Sequence, residues 1–307
     1  MLPKVCILGA GNWGTVVAKL VAENLQFGGR FHPVVTLWTH EERHNGLPLT
    51  EIINSTRVNE KYLPGVALPS NICAEPCLRT AISNSSLLVF VVPHQFISGI
   101  CEKIRQFRDE NILGPDVRAI SLIKGLEATN DAKRLGLISH HIKQQLGLDS
   151  ISVLMGANIA SEIARNEFSE ATLGYESIED ARVFKAIFQT DYFRVNCIQD
   201  VAGVELCGGL KNVVALGSGI AAGCGFGSNT RAAVIRNGLR EMRLFIDTFY
   251  PNPNKAERTE TFFESCGIAD LIATCESGRN AKVAAAFAAS SNQKSFSERM
   301  SLPLRNP

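Results

Sequence analysis

The stretch that decides the fold is Val5-Cys6-Ile7-Leu8-Gly9-Ala10-Gly11-Asn12-Trp13-Gly14. Its first four residues are apolar and predict a buried strand, and the helical spacing of apolar residues over 15–23 predicts a helix after it. Between the two stands a GxGxxG turn. In this motif the first glycine allows the tight turn, the second lets backbone approach a pyrophosphate, and the third lets the helix pack closely. Because a helix N-terminus also offers free N–H groups to phosphates, the stretch predicts a dinucleotide-binding βαβ unit.

The second strand of that unit is predicted at 34–38, at the spacing expected for a first crossover. An acidic residue near the end of this strand usually accepts the adenosine ribose hydroxyls. Either Glu41 or Glu42 fits that role, which favours NAD over NADP. The alternative is that both are charges on a solvated turn, and Arg43 beside them weakens the argument for NAD.

Three further apolar runs, at 87–92, 117–123 and 151–155, predict central strands of a parallel sheet. Each run is followed at once by a polar or glycine-containing group, and ligands bind at the carboxyl edge of such sheets. Lys124 and Asn158 stand at two of these strand exits and are candidates for a site. For Asn158 a turn or helix cap is the alternative.

Beyond about residue 199 the pattern changes to helical periodicity through residue 289. The sequence therefore predicts an α/β protein, a Rossmann-type doubly wound sheet followed by a smaller all-α domain. We place the NAD-binding Rossmann-like domain at 1–197 and the helical substrate-binding domain at 198–307. The polar stretch 290–307 has no clear apolar face and is expected to fray.

Lys211 lies within the apolar run 204–217, which reads as an interior helix. A buried ammonium must be paired, hydrogen-bonded or neutral, unless its stem packs and its head reaches water. Asp270 and Thr274, one helical turn apart in another apolar segment, are candidate partners. Local pairing or capping by Asp270 is the alternative. Arg279 follows with the fork geometry that suits phosphate or carboxylate, although an ordinary surface arginine would look the same.

Bulk composition narrows the class of protein. The 307 residues are 45% hydrophobic with a formal net charge of +1, which argues against a general nucleic-acid binder. The sequence has no apolar run of about 18 residues, so we expect no membrane span, and no leader peptide is predicted. Nine cysteines without a CxxC pair indicate reduced thiols in the cytosol, and no metal site is expected.

The motifs together carry a resemblance. GAGNWG at 9–14, PHQF at 93–96, SLIKG at 121–125, MGANIASE at 155–162, GLKN at 209–212 and the segment 269–280 occur in order with fitting spacing. Over nearly all of residues 3–289 the chain resembles the eukaryotic, cytosolic NAD-dependent glycerol-3-phosphate dehydrogenases. The resemblance implies interconversion of dihydroxyacetone phosphate and sn-glycerol 3-phosphate with NADH or NAD, in a cytoplasmic homodimer.

The resemblance also assigns residues to roles. It implies a polar cluster around the substrate carbon, with Lys211 as proton donor and acceptor held by Asp270 and Asn158; the cluster is Lys211, Lys124, Asn158, Asp270 and Thr274. The implied cofactor-binding residues are Gly9, Ala10, Gly11, Asn12, Trp13, Gly14, His40, Phe96, Ala160 and Arg279. The implied substrate-binding residues are Lys124, Arg279 and Asn280.

The sequence departs from the family at three places. His40 replaces an aromatic residue beside the adenine. Glu276-Ser277-Gly278 replaces an aromatic-glycine-glycine loop, which precedes the two residues that the resemblance implies bind the phosphate, Arg279 and Asn280. The family also continues past residue 307, so we expect an apparently truncated second domain with exposed apolar surface. Two alternative functions are considered. The first is a catalytically weak or inactive NAD-binding paralogue. The second is a β-hydroxyacid dehydrogenase, and the segment Arg279-Asn280 and the pair Lys211-Asn212 argue against it.

Overall fold

The computed structural model describes residues 2–26, 29–114, 116–128 and 135–290. Of the tail 290–307 that is expected to fray, residues 291–307 lie outside these ranges. The strands are β1 Val5–Leu8, β2 Val35–Trp38, β3 Arg43–His44, β4 Leu47–Pro48, β5 Ile72–Glu75, β6 Leu87–Phe90, β7 Arg118–Ser121, β8 Glu127–Ala128, β9 Leu135–Gly136, β10 Ser152–Met155, β11 Ser169–Tyr175 and β12 Phe193–Ile198.

The helices alternate with strands up to β12 and then follow one another without strands between them. They are α1 Asn12–Leu25, α2 Leu49–Thr56, α3 Leu78–Ile82, α4 Ile97–Asp109, α5 Ile138–Leu146, α6 Ala160–Ala164, α7 Ile178–Phe188, α8 Val201–Gly223, α9 Ser228–Phe249, α10 Lys255–Phe263, α11 Asp270–Ser277 and α12 Arg279–Ala289. A 3₁₀ turn, His94–Phe96, precedes α4, and a π-helical turn, Ser265–Ala269, precedes α11.

Eight strands form one sheet in the order β12-β11-β10-β7-β6-β1-β2-β5. Neighbours are parallel except β10 and β11, which are antiparallel. Strands β1, β6 and β10 are buried along their whole length, because helices cover both faces of the sheet. The carboxyl ends of β1, β2, β6 and β7 therefore meet at one edge, as the doubly wound fold requires.

Two apolar cores lie on opposite faces of the sheet. One core includes residues of α1 and α7, and the other includes residues of α4, α5 and α8. Helix α8 also contacts β10 and β11, so the helical part of the chain packs directly onto the sheet. The predicted Rossmann-type sheet followed by a helical domain is confirmed.

Helix α8 is the axis of the helical part. Its N-cap Asp200 is buried, accepts from the Gly203 N–H at 3.0 Å and pairs with both Nε (2.8 Å) and Nη2 (2.9 Å) of Arg258. By length and composition alone α8 could cross a membrane, which the sequence pattern did not lead us to expect, and half of its most apolar window is buried. Its packing on the sheet and on α9 and α12 is that of a core helix.

Candidate active site

The turn between β1 and α1 has the geometry of a phosphate cradle. Gly9 has φ of +117°, a conformation that favours glycine, and a Cβ on Gly14 would stand 1.9 Å from the Gly9 carbonyl oxygen. A Cβ on Gly11 would meet nothing within 4 Å. Gly11 is also the N-cap of α1 and makes no side-chain cap, so the first N–H groups of the helix face open space. These residues fit a pyrophosphate.

A cavity of about 1100 Å³ opens in front of this turn, at the carboxyl edge of the sheet. Its volume is at the upper end of the range for small-molecule sites, as a dinucleotide requires. Most of the predicted cofactor residues line it, together with two candidates for catalysis. The predicted residues in its wall are Gly9, Ala10, Gly11, Asn12, Trp13, Gly14, His40, Phe96, Lys124 and Asn158.

The two acidic candidates after β2 separate in the structure. Glu41 turns away and accepts hydrogen bonds from the N–H (3.3 Å) and hydroxyl of Thr50, in the first turn of α2. Glu42 lines the cavity and forms an ion pair with Lys61. Of the two, Glu42 is therefore the one within reach of a ribose.

Besides the glycine turn and the cavity, the site contains a cluster of charged side chains centred on Asp270, the first residue of α11. One of its carboxylate oxygens pairs with Lys211 and the other accepts from Lys124 at 2.8 Å. Lys211 also donates to the Thr274 hydroxyl at 2.7 Å, and Lys124 to the Gly156 carbonyl at 3.2 Å. One carboxylate thus holds two ammonium groups, one from the sheet edge and one from α8.

Burial sets the electrostatics of this cluster. The side chains of Lys211 and Asp270 are 8% and 4% exposed, and that of Lys124 is 34% exposed. Desolvation, followed by the positive charge of Lys124, lowers the pKa of Lys211 to about 8, although Asp270 opposes the shift. A lysine with such a pKa can both give and accept a proton near neutrality.

Among the residues that the structure describes, no hydrogen bond joins Asn158 to Lys211, so the expectation that Asn158 helps to hold the lysine stays a prediction. Its side-chain amide donates to the Glu170 carbonyl at 2.9 Å, while its position still lines the cavity. Besides pairing with Asp270, the Lys211 ammonium donates a hydrogen bond to the Thr274 hydroxyl. Because β11 pairs with β10, the Glu170 carbonyl lies within hydrogen-bond reach of the Asn158 amide.

Arg279 and Asn280, the two residues expected to bind the phosphate, are the first two residues of α12. Gly278 is its N-cap and donates its N–H to the Thr274 carbonyl at 3.0 Å, so α12 begins directly beyond the helix that carries Asp270. Arg279 is exposed and Asn280 is half-buried, and neither side chain makes a hydrogen bond within the ranges that the structure describes. Glu276 is exposed at the end of α11.

Two predicted cofactor residues, Ala160 and Arg279, lie outside the cavity wall. Ala160 is the first residue of α6, two positions after Asn158, and packs against the apolar core that contains α1. Its assignment to the cofactor rests on the resemblance alone.

The glycine turn, the cavity and the lysine–aspartate cluster occupy one edge of one fold, and comparison with known proteins identifies that combination. The family model for the NAD-dependent glycerol-3-phosphate dehydrogenase N-terminus matches residues 4–181, and the model for its C-terminus matches residues 200–303. The chain belongs to this dehydrogenase family.

Named relatives agree. The chain is 49% identical over 297 residues to "Glycerol-3-phosphate dehydrogenase [NAD(+)] 1, chloroplastic" of Arabidopsis thaliana, covering 96% of this chain and 71% of the relative. It is 49% identical over 286 residues to the human "Glycerol-3-phosphate dehydrogenase [NAD(+)], cytoplasmic", covering 93% and 78%. The solved glycerol-3-phosphate dehydrogenase of Saccharomyces cerevisiae superposes with a TM-score of 0.86 at 44% identity, covering 95% of this chain and 82% of that one.

Membership of the dehydrogenase family confirms the predicted oxidoreductase class and NAD as its cofactor. It also favours this family over the β-hydroxyacid dehydrogenases.

Sequence reasoning missed two polar residues that join the sheet to the helices. The Ser265 hydroxyl donates to the Glu170 carbonyl at 2.6 Å and accepts from the Ala157 N–H at 3.3 Å. Glu205, in α8, is fully buried and accepts from the N-terminus of α5. A glutamate inside an apolar run was a signal for the second, since a buried carboxylate needs donors; nothing in the sequence singled out the serine.

Proposed function

We propose that this chain catalyses reversible hydride transfer between NADH and dihydroxyacetone phosphate, giving sn-glycerol 3-phosphate. The observation that carries the proposal is Asp270 shared between Lys211 and Lys124, of which Lys124 lines the dinucleotide cavity. Two cations around one carboxylate leave net positive charge where a ketone oxygen would become an alkoxide.

The cofactor supplies the hydride when it is bound, and the chain must supply the proton. Lys211 donates its proton to the carbonyl oxygen of the ketone during reduction and takes it back during oxidation. Asp270 orients the ammonium and Thr274 fixes its second direction. Lys124 adds positive field and, on the more exposed side of the cluster, contacts the substrate.

Phosphate binding falls to the start of α12. The Arg279 guanidinium and the Asn280 amide flank the free N–H groups of the first helical turn, which together suit a phosphate dianion. Binding energy from this remote group would position the carbonyl before Lys211, so that it lowers the barrier as well as KM. The exposed Glu276 reduces the positive potential there.

For the cofactor, the residues of the glycine turn hold the pyrophosphate, Glu42 receives the ribose hydroxyls, and His40 and Phe96 flank the adenosine half and the middle of the cavity. We also propose the domain division predicted from the sequence, 1–197 and 198–307. The sheet ending at Ile198 and α8 beginning at Val201 support that boundary.

We further propose a cytoplasmic homodimer. Several relatives are named cytoplasmic, whereas one is named chloroplastic. Exposed apolar side chains on α8 and α9, including Val213, Leu216 and Leu244, support self-association through the helical part.

The test of the proposed reaction is NADH oxidation by purified protein with dihydroxyacetone phosphate. In Lys211→Ala we expect turnover to fall by about three orders of magnitude or more, because the proton donor is lost, while the Kd for NADH changes less than about twofold. Lys185→Ala, at an exposed lysine of α7, is the matched control and should behave as wild type.

Near-normal turnover in Lys211→Ala would contradict the assignment. Binding of NADH without turnover in the wild-type protein would instead favour the inactive paralogue, although the converging Lys211, Asp270 and Lys124 favour an active enzyme.

A further inference from the structure

Glu205 is a charged residue that the proposed mechanism does not use. It lies in α8 with no exposed surface. Its carboxylate accepts the Ile138 N–H at 2.7 Å and the Ser139 N–H at 3.3 Å to each oxygen. The residue before α5, Leu137, offers no side-chain cap, so a glutamate from another helix satisfies the first donors of α5.

The same face of α8 carries two glycines that let the loop after β7 approach. A Cβ on Gly208 would stand 3.5 Å from the Lys124 Cγ and 3.0 Å from the Met155 sulfur. A Cβ on Gly209 would stand 3.3 Å from the Gly125 carbonyl oxygen. The turn of α8 just before Lys211 is therefore seated on the segment that carries Lys124.

Glu205 stabilises this contact through hydrogen bonds to a neighbouring helix. Its hydrogen bonds tie α8 to the N-terminus of α5, and Gly208 and Gly209 bring α8 against Lys124 and Gly125. Lys211 follows Glu205 by six residues on the same helix. A shift of α8 along α5 would consequently move Lys211 relative to Lys124, while Asp270 connects both.

We propose that Glu205 is a positioning residue whose ionised carboxylate caps α5, fixes α8 against the Lys124 segment and thereby sets the spacing of the two active-site lysines. Protonation of Glu205 weakens the cap and lowers turnover. This inference rests on the proposed function, since the two lysines act together only in that reaction.

The surroundings of Glu205 place its titration in the working range. Burial raises its pKa to about 7, against the opposing hydrogen bonds from Ser139 and Ile138, and the negative charge of Glu127 in β8 adds to the rise. From the end of α9, Tyr250 faces it, and the pKa of that phenol is raised by its own burial first and by Glu205 second. On α5, His140 lies against the Tyr250 ring and His141 pairs with Glu127 at 3.1 Å.

A carboxylate makes stronger hydrogen bonds to N–H groups than a neutral carboxyl does, by roughly a factor of two. The cap is therefore strong above about pH 7 and weak below it. The expected kcat profile for ketone reduction is a bell, with an acid limb from Glu205 and an alkaline limb from Lys211.

The experiment measures that profile in wild type and in Glu205→Gln. The glutamine keeps size and one acceptor but cannot ionise, so we expect kcat to fall about tenfold at pH 8 and the acid limb near pH 7 to disappear, with KM for NADH unchanged. Glu260→Gln, at an exposed glutamate of α10, is the matched control and should keep the bell. An acid limb that persists unchanged in Glu205→Gln overturns the proposal.

A second variant covers the case in which Glu205→Gln does not fold. Glu127→Gln removes a partly exposed negative charge that helps to raise the pKa of Glu205, so the acid limb should move to lower pH while the fold is kept. A limb that does not move in this variant also contradicts the proposal.

A third measurement needs no turnover. Amide exchange at Ile138 and Ser139, corrected for intrinsic rates, should lose about tenfold protection as the pH falls from about 8 to about 6 in wild type. Unchanged protection overturns the role of Glu205 whatever the activity shows. A pH-dependent cap in a protein that reduces no dihydroxyacetone phosphate would instead refute the proposed function and leave the cap intact.

Discussion

The Lys211 side chain is buried, which makes its positive charge energetically unfavourable and lowers its pKa toward neutrality. Two lysines share one carboxylate, and the side chains of Lys211 and Asp270 are almost fully buried, so the cluster keeps positive charge where little water reaches Lys211. Desolvation and the neighbouring Lys124 both favour the neutral amine, and Asp270 keeps that preference moderate. Lys211 can therefore give or accept a proton near neutrality, which suits the proposed reaction in both directions.

The alkaline limb of ketone reduction tests this balance. Turnover should fall as pH rises through about 8, because reduction needs protonated Lys211. In Lys124→Met the repelling charge is gone and Asp270 is left to Lys211 alone, so the limb should move to higher pH by about one pH unit. The measurement is kcat against pH with dihydroxyacetone phosphate at saturation. We also expect a lower kcat at every pH, because Lys124 is proposed to contact the substrate.

An alkaline limb that stays in place, or moves to lower pH, in Lys124→Met would show that Lys124 does not set the ionisation of Lys211. Lys185→Met, at an exposed lysine of α7, provides the control for a general change in protein charge.

At the scale of single residues, the sequence predicts which charged residues pair better than it predicts the directions of side-chain hydrogen bonds. A lone lysine in an apolar helix and a lone aspartate in another one predict each other, because neither charge is stable unpaired. The hydrogen bond from the Asn158 amide to the Glu170 carbonyl was not predicted, because it follows from strand pairing, which no single residue reveals. Glu205 escaped notice for a similar reason: its donors belong to α5, 66 or 67 residues away in sequence.

Helix α8 is the element on which both functional contacts depend. One of its faces meets the Lys124 segment, and another packs against α12, the helix that begins at Arg279. Close packing there is possible because Gly219 and Gly223 present no side chains: a Cβ on either would stand 2.3 Å from a carbonyl oxygen of α12. Two glycines thus set the spacing between Lys211, the proposed proton donor, and Arg279, part of the proposed phosphate site.

Gly219→Ala tests this packing. The added methyl must push α12 away from α8, so we expect a loss of about 1–3 kcal/mol in the free energy of unfolding and a higher KM for the phosphate ester. Urea unfolding and steady-state kinetics measure both effects. Gly217→Ala on the same helix is the matched control, since its Cβ would meet only a Val234 methyl at 3.4 Å and the better helix propensity of alanine should leave stability equal or higher.

Equal stability of the two variants would mean that α12 is free to move away from α8. The existence of these helices was predictable from periodicity, whereas their approach distance was not, because a glycine in a helix indicates close packing without naming the partner. The short hairpin of β3 and β4 was not predicted either, since two-residue strands leave no pattern in sequence.

Across the whole molecule, the features proposed for catalysis work against stability. Glu205 and Lys211 both have folded-state pKa values displaced toward the neutral form, so each costs folding energy when it is charged. The pKa of Glu205 is raised, from 4.5 to about 7, and its contribution to stability is full below pH 4.5 and is lost as pH rises to about 7. The pKa of Lys211 is lowered, from 10.5 to about 8, and stability is regained as pH rises from 8 to 10.5. Between about pH 7 and 8 both charges are present together and their cost is greatest.

Glu205→Gln separates this cost from the rest of the protein. Since glutamine does not ionise, the variant should gain stability relative to wild type as pH rises, by about 2 kcal/mol between about pH 5.5 and 7.5 and about 3 kcal/mol over the full titration. Urea unfolding of both proteins across that range measures the difference, and Glu260→Gln should show no such trend. A difference that stays constant with pH would mean that Glu205 does not titrate in this window. Because the same variant is expected to turn over more slowly, a gain in stability together with a loss of activity would indicate that the carboxylate is kept for the spacing of the lysines and at the expense of the fold.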